Sequence, residues 1–504
     1  MKSQAFNPFL PLSEYIPDGE PHVFGERVYL FGSHDRFGGA WYCLNDYLCY
    51  SAPLDDLTQW RLEGVIYRKE QDPRNQRIPA GAQRILSPSQ NEKDYEEAAM
   101  NPPGIHALWA PDVTKGPDGR YYLYYCMDVL PQIAVAVSDH PAGAYAFYGF
   151  VRHADGTVLG EGEKDLIQFD PGIFVDDDGE IYLFSGNSTR PWEGLDPRKS
   201  SQVMRLEKDM LTLKGEPSKL LPNYQQAIGT DFEGHAFFEA SSIRKIHGKY
   251  YLIYSSVNSH ELCYAVSDAP DKGYRFGGTV VDIGDVYLHG RTEEEAQNCL
   301  GNTHGGIERI NGQWYVFYHR QTNRTQFSRQ ACAEKIYFDE QGRIAQAETT
   351  SCGLNAGALL AVGDYPAAIA CSLTRNGKNV FSRPERMGDY YPYFTQDTKD
   401  GALPEQSPEE PTQYIANIQD GTKIGYKYFR LAGTQKLSVW ARGNASGKLT
   451  LVLGEQKVSF ADAKLQGNEW QKITFSFQEQ EGVFPLYLIY NGEGKLDISR
   501  LSFL

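Results

Sequence analysis

The chain has 504 residues, which is too long for one ordinary domain and indicates two or three. Its formal net charge is −16, from 49 basic and 65 acidic residues, and such a surface disfavours nucleic acid and anionic membranes as partners. The 33 tyrosines, 49 glycines and 27 prolines favour strands joined by many turns. We therefore expect an all-β protein.

The N-terminal residues 1–19 contain one lysine and no continuous apolar segment, because prolines interrupt them. We expect no signal peptide and a cytoplasmic location. The eight cysteines form no CxxC pair and no other zinc spacing. The sequence therefore predicts unpaired structural thiols in a reducing compartment.

A short aromatic strand motif recurs five times along the chain. The copies follow glycine-containing turns and are centred on Tyr29, Tyr122, Tyr182, Tyr251 and Tyr315. An acid or a histidine precedes these tyrosines by 11, 10, 12, 12 and 11 residues, namely Asp18, Asp112, Asp170, Glu239 and His304. Regular repetition of such a unit is typical of a propeller or solenoid. Residues 1–345 are thus predicted to form a five-bladed β-propeller with one polar side chain per blade aimed at its axis.

The intervals between successive motif tyrosines are 93, 60, 69 and 64 residues. The long first interval contains the charged stretch 68–98, which we interpret as an insertion loop. The propeller pattern fades after residue 344, and a β-rich connector is expected at 346–377. The polar, acidic stretch 396–413 is typical of an exposed loop. Turn-separated strand patterns elsewhere in 378–504 predict a β-sandwich of the jelly-roll type.

The carboxylates of the repeat are the candidate catalytic groups. In glycoside hydrolysis, one protonated carboxyl donates to the leaving oxygen, and a second, ionised one activates water or attacks the sugar. Glu239 follows two phenylalanines, which would desolvate it and favour its protonated form. Asp18 has more polar neighbours and is the expected ionised group. Asp112 is the candidate third carboxylate, tuning the pKa and orientation of the acid.

Further residues are candidates for binding the substrate or a cation. Trp109 and Phe238 flank the predicted acids and would wall a pocket or stack on a sugar face. Asp170 is the acid of the third repeat, and Arg329 would reach a sugar hydroxyl or a carboxylate, unless it lies on the surface. His304 is either a structural hydrogen-bonding residue or part of a central cation site, although calcium prefers oxygen ligands.

Residues 5–345 resemble glycoside hydrolase family 43, the five-bladed propeller enzymes of hemicellulose breakdown. The resembling stretches are IPDGEPHVFGERVYLFGSHD, LWAPDVTKGPDGRYYLYY, FDPGIFVDDDGEIYLFSG, FFEASSIRKIHGKYYLIYSS and GNTHGGIERINGQWYVFYHR. The resemblance implies an inverting mechanism with Asp18 as general base, Asp112 as pKa modulator and Glu239 as general acid. It also implies that His304 belongs to a central ion or water site, with calcium as one such ion, and that Arg329 lies in the substrate pocket. It implies no cofactor for the chemistry itself.

Two alternatives remain open at this stage. The family usually has a proline directly after the base, whereas here two residues stand between Asp18 and Pro21. One of them, Glu20, is therefore a competitor for the base. Glu233 is a lesser competitor for the acid.

Residues 378–504 resemble a family 6 carbohydrate-binding module. The stretches that carry this resemblance are YIANIQDGTKIGYKYFRL, LSVWARG, NEWQKITFSF and PLYLIYNGEGKLDISRLSFL. The resemblance implies that sugar rings stack on exposed aromatic side chains, for which the candidates are Tyr390, Tyr391, Tyr393, Trp440 and Trp470. A domain that only packs against the propeller is the alternative.

Together these patterns predict a glycosidase that releases terminal or side-chain pentosyl residues from hemicellulose-derived oligosaccharides. It would be an α-L-arabinofuranosidase, a β-xylosidase or both. The alternatives are a β-galactosidase or galactofuranosidase of the same fold, and a non-catalytic propeller that binds glycans.

Overall fold

The computed structural model describes residues 4–39, 41–76, 106–128, 130–379, 388–397 and 411–504. Most of the predicted insertion loop 68–98 and of the predicted loop 396–413 lies outside these ranges. The described residues form an all-β protein, in which the α-helical part is α1 (Pro73–Gln76). None of the described helices has the length and apolar character needed to cross a membrane.

Five antiparallel sheets follow one another along the chain, and their strands pair in chain order, which confirms the five-bladed propeller. The first blade contains β1 (Glu20–Phe24), β2 (Arg27–Phe31), β3 (Tyr47–Pro53) and β4 (Arg61–Tyr67). The second contains β5 (Leu108–Lys115), β6 (Tyr121–Met127), β7 (Ile133–Ser138) and β8 (Ala146–Phe150). The third contains β9 (Gly172–Val175), β10 (Ile181–Ser185), β11 (Gln202–Leu206) and β12 (Ser218–Lys219). The fourth contains β13 (Phe237–Ile246), β14 (Lys249–Ser256), β15 (Glu261–Ser267) and β16 (Arg275–Asp282). The fifth contains β17 (Ile307–Ile310), β18 (Gln313–Thr322) and β19 (Thr325–Ile336).

The repeated tyrosines occupy equivalent places in the blades. All five lie on the second strand of their blade, at β2, β6, β10, β14 and β18. The first strands contact one another in four of the five pairs of neighbouring blades, β1 with β5, β5 with β9, β9 with β13 and β17 with β1, so they are the innermost strands. A polar residue about a dozen positions before the tyrosine therefore lies near the start of an innermost strand, at the centre of the ring.

Apolar side chains fill the space between each pair of neighbouring blades. Separate buried clusters join the first blade to the second, the second to the third, and so on around the ring. A further cluster packs Val28 and Leu30 of the first blade against Phe317 and Ala331 of the fifth, which closes the ring. Full burial of one large apolar side chain, such as Leu30 or Phe317, stabilises the folded state by about 1.5–3 kcal/mol.

The N-terminal segment covers the outer edge of the three-stranded fifth blade. Asn7 Nδ2 donates to Ala333 O over 2.9 Å, and Ala333 N donates to Asn7 Oδ1 over 3.0 Å. The Asn7 backbone N–H donates to Ser351 O at 3.1 Å. The side-chain amide of Asn7 thus satisfies the polar backbone of β19 as a neighbouring strand would.

The C-terminal region forms one sheet that curls on itself around its own apolar core. Its strands are β20 (Leu359–Leu360), β21 (Gly363–Pro366), β22 (Ser372–Arg375), β23 (Tyr393–Gln396), β24 (Gln413–Ile418), β25 (Thr422–Leu453), β26 (Gln456–Leu465) and β27 (Gln471–Phe503). The curl is visible in the long strands, because Leu437 of β25 pairs with both Phe475 and Phe503 of β27. β20, β21 and β22 come from the predicted connector 346–377 and pair with β25 or β27.

The C-terminal sheet is bonded directly to the fifth blade. Asn323 N, at the turn between β18 and β19, donates to Phe394 O over 2.7 Å. The Arg320 guanidinium lies 3.9 Å from the centre of the Phe394 ring and donates to Ala368 O and Ala370 O. These contacts hold the blade that carries Arg329 against the second domain.

All eight cysteines are unpaired, as the sequence predicted. Seven are buried, and Cys352 is partly exposed. Reduced thiols of this kind pack as small apolar side chains.

Candidate active site

A cavity of about 730 Å³ lies where the innermost strands begin. Four of the five polar residues of the repeat line it, namely Asp18, Asp170, Glu239 and His304. They come from the first, third, fourth and fifth blades, and each stands just before or at the start of the first strand of its blade. The fixed spacing seen in the sequence therefore corresponds to a shared location in the fold.

The backbone turns sharply at several of these positions. Asp18 has a φ of 57° and Asp170 a φ of 44°, while Ala240, directly after Glu239, has a φ of 69°. Left-handed conformations of non-glycine residues cost of order 1–3 kcal/mol and persist where the surrounding structure enforces them. Here they redirect the chain as it enters an innermost strand.

Asp112 is not among the described residues that line the cavity, although the sequence placed it in the catalytic set. His22 Nε2 and Val113 N each donate to its Oδ1 over 2.6 Å, and Ile173 N donates to its Oδ2 over 2.7 Å. Its carboxylate therefore ties the innermost strands of the first three blades together.

Asp112 does not line the cavity because of the register of β5. A register shift separates Trp109 from Asp112 where β5 pairs with β6, and the described residues of this strand that line the cavity are Trp109 and Ala110. Ala110 has a positive φ of 25° and precedes Tyr122 by 12 residues, as Asp170 precedes Tyr182. Asp112 precedes Tyr122 by only 10 residues, which was the signal in the sequence that it lies further along its strand.

Asp18 is held ionised by its neighbours. Arg329 Nη1 donates to Asp18 Oδ1 over 2.9 Å. Burial alone would raise the pKa of Asp18, but the Arg329 guanidinium, with smaller contributions from His319 and His304, brings that pKa below its usual value. His319 Nδ1 accepts from Asp18 N at 3.2 Å while its Nε2 donates to Asn302 O at 2.8 Å.

Arg329 is itself fixed by a second carboxylate, that of Asp35, which no pattern in the sequence marks. Arg329 Nε donates to Asp35 Oδ2 over 2.8 Å, and Nη2 donates to Oδ1 over 2.9 Å, a paired geometry that sets the plane of the guanidinium. Arg329 is only 2% exposed, so the surface alternative is excluded. Its Nη1 is aimed at Asp18, and its Nη2 also donates to Cys43 Sγ over 3.4 Å.

Glu239 has the opposite electrostatic character. Burial raises the pKa of Glu239 to about 7; the Arg190 guanidinium opposes this rise, and the negative charge of Asp18 adds to it. The pairing of β13 with β14 shifts register on both sides of Glu239, and such bulges re-aim a side chain. At neutral pH a large fraction of Glu239 therefore carries a proton.

Asp170 is the third carboxyl group of the cavity. Burial raises its pKa well above the usual value, and the negative charges of Glu239 and Asp18 raise it further. Its Oδ2 lies 3.5 Å from His304 Nδ1. Asp170 and Glu239 therefore influence each other's ionisation.

Neither competing glutamate lines the described cavity. Glu20 Oε1 accepts from Ser242 Oγ and from Arg244 Nη2, both over 2.8 Å. Glu233 is exposed, and its Oε2 accepts from Gly229 N over 2.9 Å.

Aromatic rings form much of the cavity wall. The sequence identified Trp109, but it did not single out Trp41, Tyr42, Phe169, Trp192 and Phe327. Several of these come from segments between strands, where no periodic pattern marks them. Phe238, the other expected aromatic contact, is a buried core residue that is not among the described lining residues.

Phe238 acts on the cavity through Arg190. The Arg190 guanidinium lies 4.2 Å from the centre of the Phe238 ring. Its Nε and Nη2 donate to Ser259 Oγ over 3.1 and 2.9 Å. Arg190 lines the cavity next to Glu239 and was not identified from the sequence.

Comparisons with known proteins identify the family of the chain. The sequence profile of glycosyl hydrolases family 43 matches residues 84–344. A xylosidase/arabinosidase from Thermoclostridium stercorarium is 45% identical over 512 residues, covering 100% of this chain and 99% of that protein. Xylosidase/arabinosidase 43A from Humicola insolens is 27% identical over 369 residues, covering 66% of this chain and 96% of that protein. A crystal structure of a family 43 arabinoxylan arabinofuranohydrolase from Bacillus subtilis, 18% identical, covers 99% of this chain and 97% of that chain with a TM-score of 0.48. With the profile matching just over half of its length and a full-length relative at this level of identity, the chain belongs to glycosyl hydrolases family 43.

Proposed function

We propose that the chain is an inverting glycosidase that removes terminal or side-chain pentosyl residues from hemicellulose-derived oligosaccharides, as a β-xylosidase, an α-L-arabinofuranosidase or both. The names of its relatives, including the full-length one, support this substrate class. The observation that carries the proposal is that Asp18 and Glu239 line one cavity with their pKa values displaced in opposite directions.

In this mechanism Asp18 is the general base and Glu239 the general acid. Asp18 takes a proton from a water molecule while the oxygen of that water bonds to the anomeric carbon. The bond from that carbon to the leaving oxygen breaks, and Glu239 gives its proton to the leaving oxygen. Water enters opposite the leaving group, so the anomeric configuration inverts. Proton exchange with solvent then restores both groups.

We assign the pKa-modulating role to Asp170 in place of Asp112. Two buried neighbouring carboxyl groups cannot both ionise without a large electrostatic cost, so the ionisation of Asp170 and that of Glu239 are linked, and Asp170 is the carboxyl group placed to tune the acid. Asp112 is already bonded to His22 and two backbone donors outside the cavity.

The predicted central calcium does not fit the donor atoms around His304 as a directly coordinated ion. Calcium takes roughly six to eight oxygen ligands. Within the described ranges, the groups of possible ligands close enough to share an ion are Glu20, His22 and Asp112, and His235, Glu261 and Cys263. Neither group contains His304, and Asp18 is bonded to Arg329.

The C-terminal domain is proposed to pack against the propeller rather than to bind glycans. Cationic side chains cover faces of four of the five candidate rings, where a sugar would have to stack. The ring–cation pairs are Trp440 with Arg500 at 4.0 Å, Trp470 with Arg442 at 4.4 Å, Tyr390 with Arg375 at 4.1 Å and Tyr393 with Arg324 at 4.6 Å. The resemblance to a carbohydrate-binding module stays a prediction.

The test is hydrolysis of a panel of nitrophenyl pentosides and galactosides by the wild type and by Asp18→Asn, with proton NMR of the first product anomer. We expect pentoside hydrolysis with inversion, and a loss of about 10²–10⁴-fold in Asp18→Asn. Preference for galactosides would contradict the substrate class, and a retained anomer would contradict the mechanism. A wild type that binds xylo-oligosaccharides without cleaving any would establish the non-catalytic alternative.

A further inference from the structure

We propose that Trp192 is the platform on which the sugar of the leaving group stacks, which makes it a determinant of oligosaccharide specificity. This inference rests on the proposed inverting hydrolysis and adds to it the location of the leaving group. In this proposal, the leaving part of the oligosaccharide, which takes the proton of Glu239, binds beside the third and fourth blades.

The cavity has two chemically distinct sides. Glu239 lies on β13 of the fourth blade, and Arg190 lies in the segment between β10 and β11 of the third. Arg190 is hydrogen-bonded to Ser259, between β14 and β15, so these two blades meet beside the acid. The base Asp18, in contrast, is bonded to Arg329 of the fifth blade.

The chemistry then orients the substrate. In an inverting reaction the acid stands beside the leaving oxygen, and the base stands on the opposite face of the sugar ring with the attacking water. The leaving sugar must therefore extend past Glu239, toward the third and fourth blades. The cavity volume of about 730 Å³ exceeds what a single pentosyl unit needs, which leaves space for this sugar.

Trp192 is the lining residue that fits this position. It belongs to the same segment as Arg190, and it is 72% exposed, whereas the other described aromatic rings of the cavity are partly buried. An indole left in water at a cavity mouth presents an apolar face on which a sugar ring can stack.

Arg190 lies over one face of the indole, farther from the ring than the cations over the C-terminal candidates, and Trp192 keeps its 72% exposure. The Arg190 guanidinium lies 5.8 Å from the centre of the Trp192 ring and 4.2 Å from that of Phe238. Arg190 Nη1 also pairs with Glu193 Oε1 at 3.5 Å. The segment that carries Trp192 is thus anchored to the blade that carries the acid.

The experiment compares substrates that share a glycone and differ in the leaving group. Xylobiose is paired with methyl β-D-xyloside, and an arabinofuranosyl-substituted xylobiose with methyl α-L-arabinofuranoside, because methanol is too small to reach Trp192. We expect Trp192→Ala to lower kcat/KM about tenfold for the oligosaccharides that the wild type cleaves. The value for the matching methyl glycoside should stay within about twofold, and Trp192→Phe should restore most of the loss. Phe460→Ala, an exposed ring of the C-terminal sheet, is the control.

Each outcome decides between the alternatives. An active wild type whose Trp192→Ala variant loses nothing on oligosaccharides, or loses equally on both members of a pair, overturns the subsite and leaves the glycosidase assignment intact. A wild type that cleaves none of the four substrates overturns the pentosidase function and the subsite together.

Discussion

Arg329 donates from Nη1 to Asp18 Oδ1 over 2.9 Å, while Asp35 holds the other side of the same guanidinium. The candidate base is thus paired with a cation that cannot rotate away. A buried carboxylate without such a partner would take up a proton. The pairing therefore keeps Asp18 able to accept a proton from water at neutral pH and below.

Replacing Arg329 with lysine should displace the acidic limb of the pH profile. Lysine keeps the charge but cannot bond Asp35 and Asp18 together in a fixed plane. The charge of Arg329 lowers the pKa of Asp18, so a weaker interaction with lysine raises that pKa. The acidic limb of kcat/KM then moves to higher pH. Arg343→Lys, on the exposed surface, is the control. An unmoved acidic limb would show that Arg329 does not set the ionisation of the base.

Glu239→Gln should remove the basic limb of the same profile. Wild-type activity is expected to fall as the pH rises through about 7, because Glu239 then loses the proton that it must donate. The variant should lose about 10²–10⁴-fold on oligosaccharides and less on glycosides with good leaving groups. Glu233→Gln, which replaces the exposed competitor, should leave both limbs in place. If Glu233→Gln instead abolished the basic limb, the acid would be Glu233.

Asp170→Asn and Asp112→Asn should give different defects. Glu239 is the charged group that contributes most to the raised pKa of Asp170, so the two carboxyl groups titrate as a pair; Asp170→Asn leaves Glu239 to titrate alone, and we expect the basic limb to be displaced and kcat/KM at neutral pH to decrease. Asp112→Asn removes a charged acceptor from His22, Val113 and Ile173, at a cost of about 1–3 kcal/mol in the free energy of unfolding. Thermal melting of both variants measures the loss of stability, and their pH profiles of kcat/KM measure the displacement of the basic limb. A basic limb that moves only in Asp112→Asn would return the modulator role to Asp112.

Phe394→Ala should destabilise the propeller as well as the C-terminal sheet. The change removes a buried ring that packs under the Arg320 guanidinium and should cost about 3–5 kcal/mol. Because the two domains share this contact, we expect the loss of activity on heating and the loss of far-UV circular dichroism to occur together at a lower temperature. Phe460→Ala, 66% exposed, is the matched control. Activity that survives the melting of the C-terminal sheet would show that the domains are independent.

The propeller could be predicted because its signal is repeated. One aromatic strand with glycine turns is ambiguous, but Tyr29, Tyr122, Tyr182, Tyr251 and Tyr315 at regular intervals predict equivalent blades, and they lie on equivalent strands. The same spacing located Asp18, Asp170, Glu239 and His304 in the cavity. Its failure at Asp112 has a physical cause, since a local register shift in β5 changes which side chain reaches the centre.

The rest of the cavity depends on features that have no period in the sequence. Arg190 and Trp192 lie in the segment between β10 and β11, and Tyr42 lies between β2 and β3. Their positions follow from how these segments pack over the blades. Asp35 likewise becomes significant only when β19 brings Arg329 beside it.

The pairing of Asn7 with Ala333 has a practical consequence for anyone who handles this enzyme. A chain trimmed past Asn7 would lose these hydrogen bonds to the outer edge of β19. Unpaired strand edges of two such molecules pair with each other and lead to dimers or larger aggregates. An affinity tag or fusion partner is therefore better attached after Leu504, which is 64% exposed, than in exchange for the first few residues.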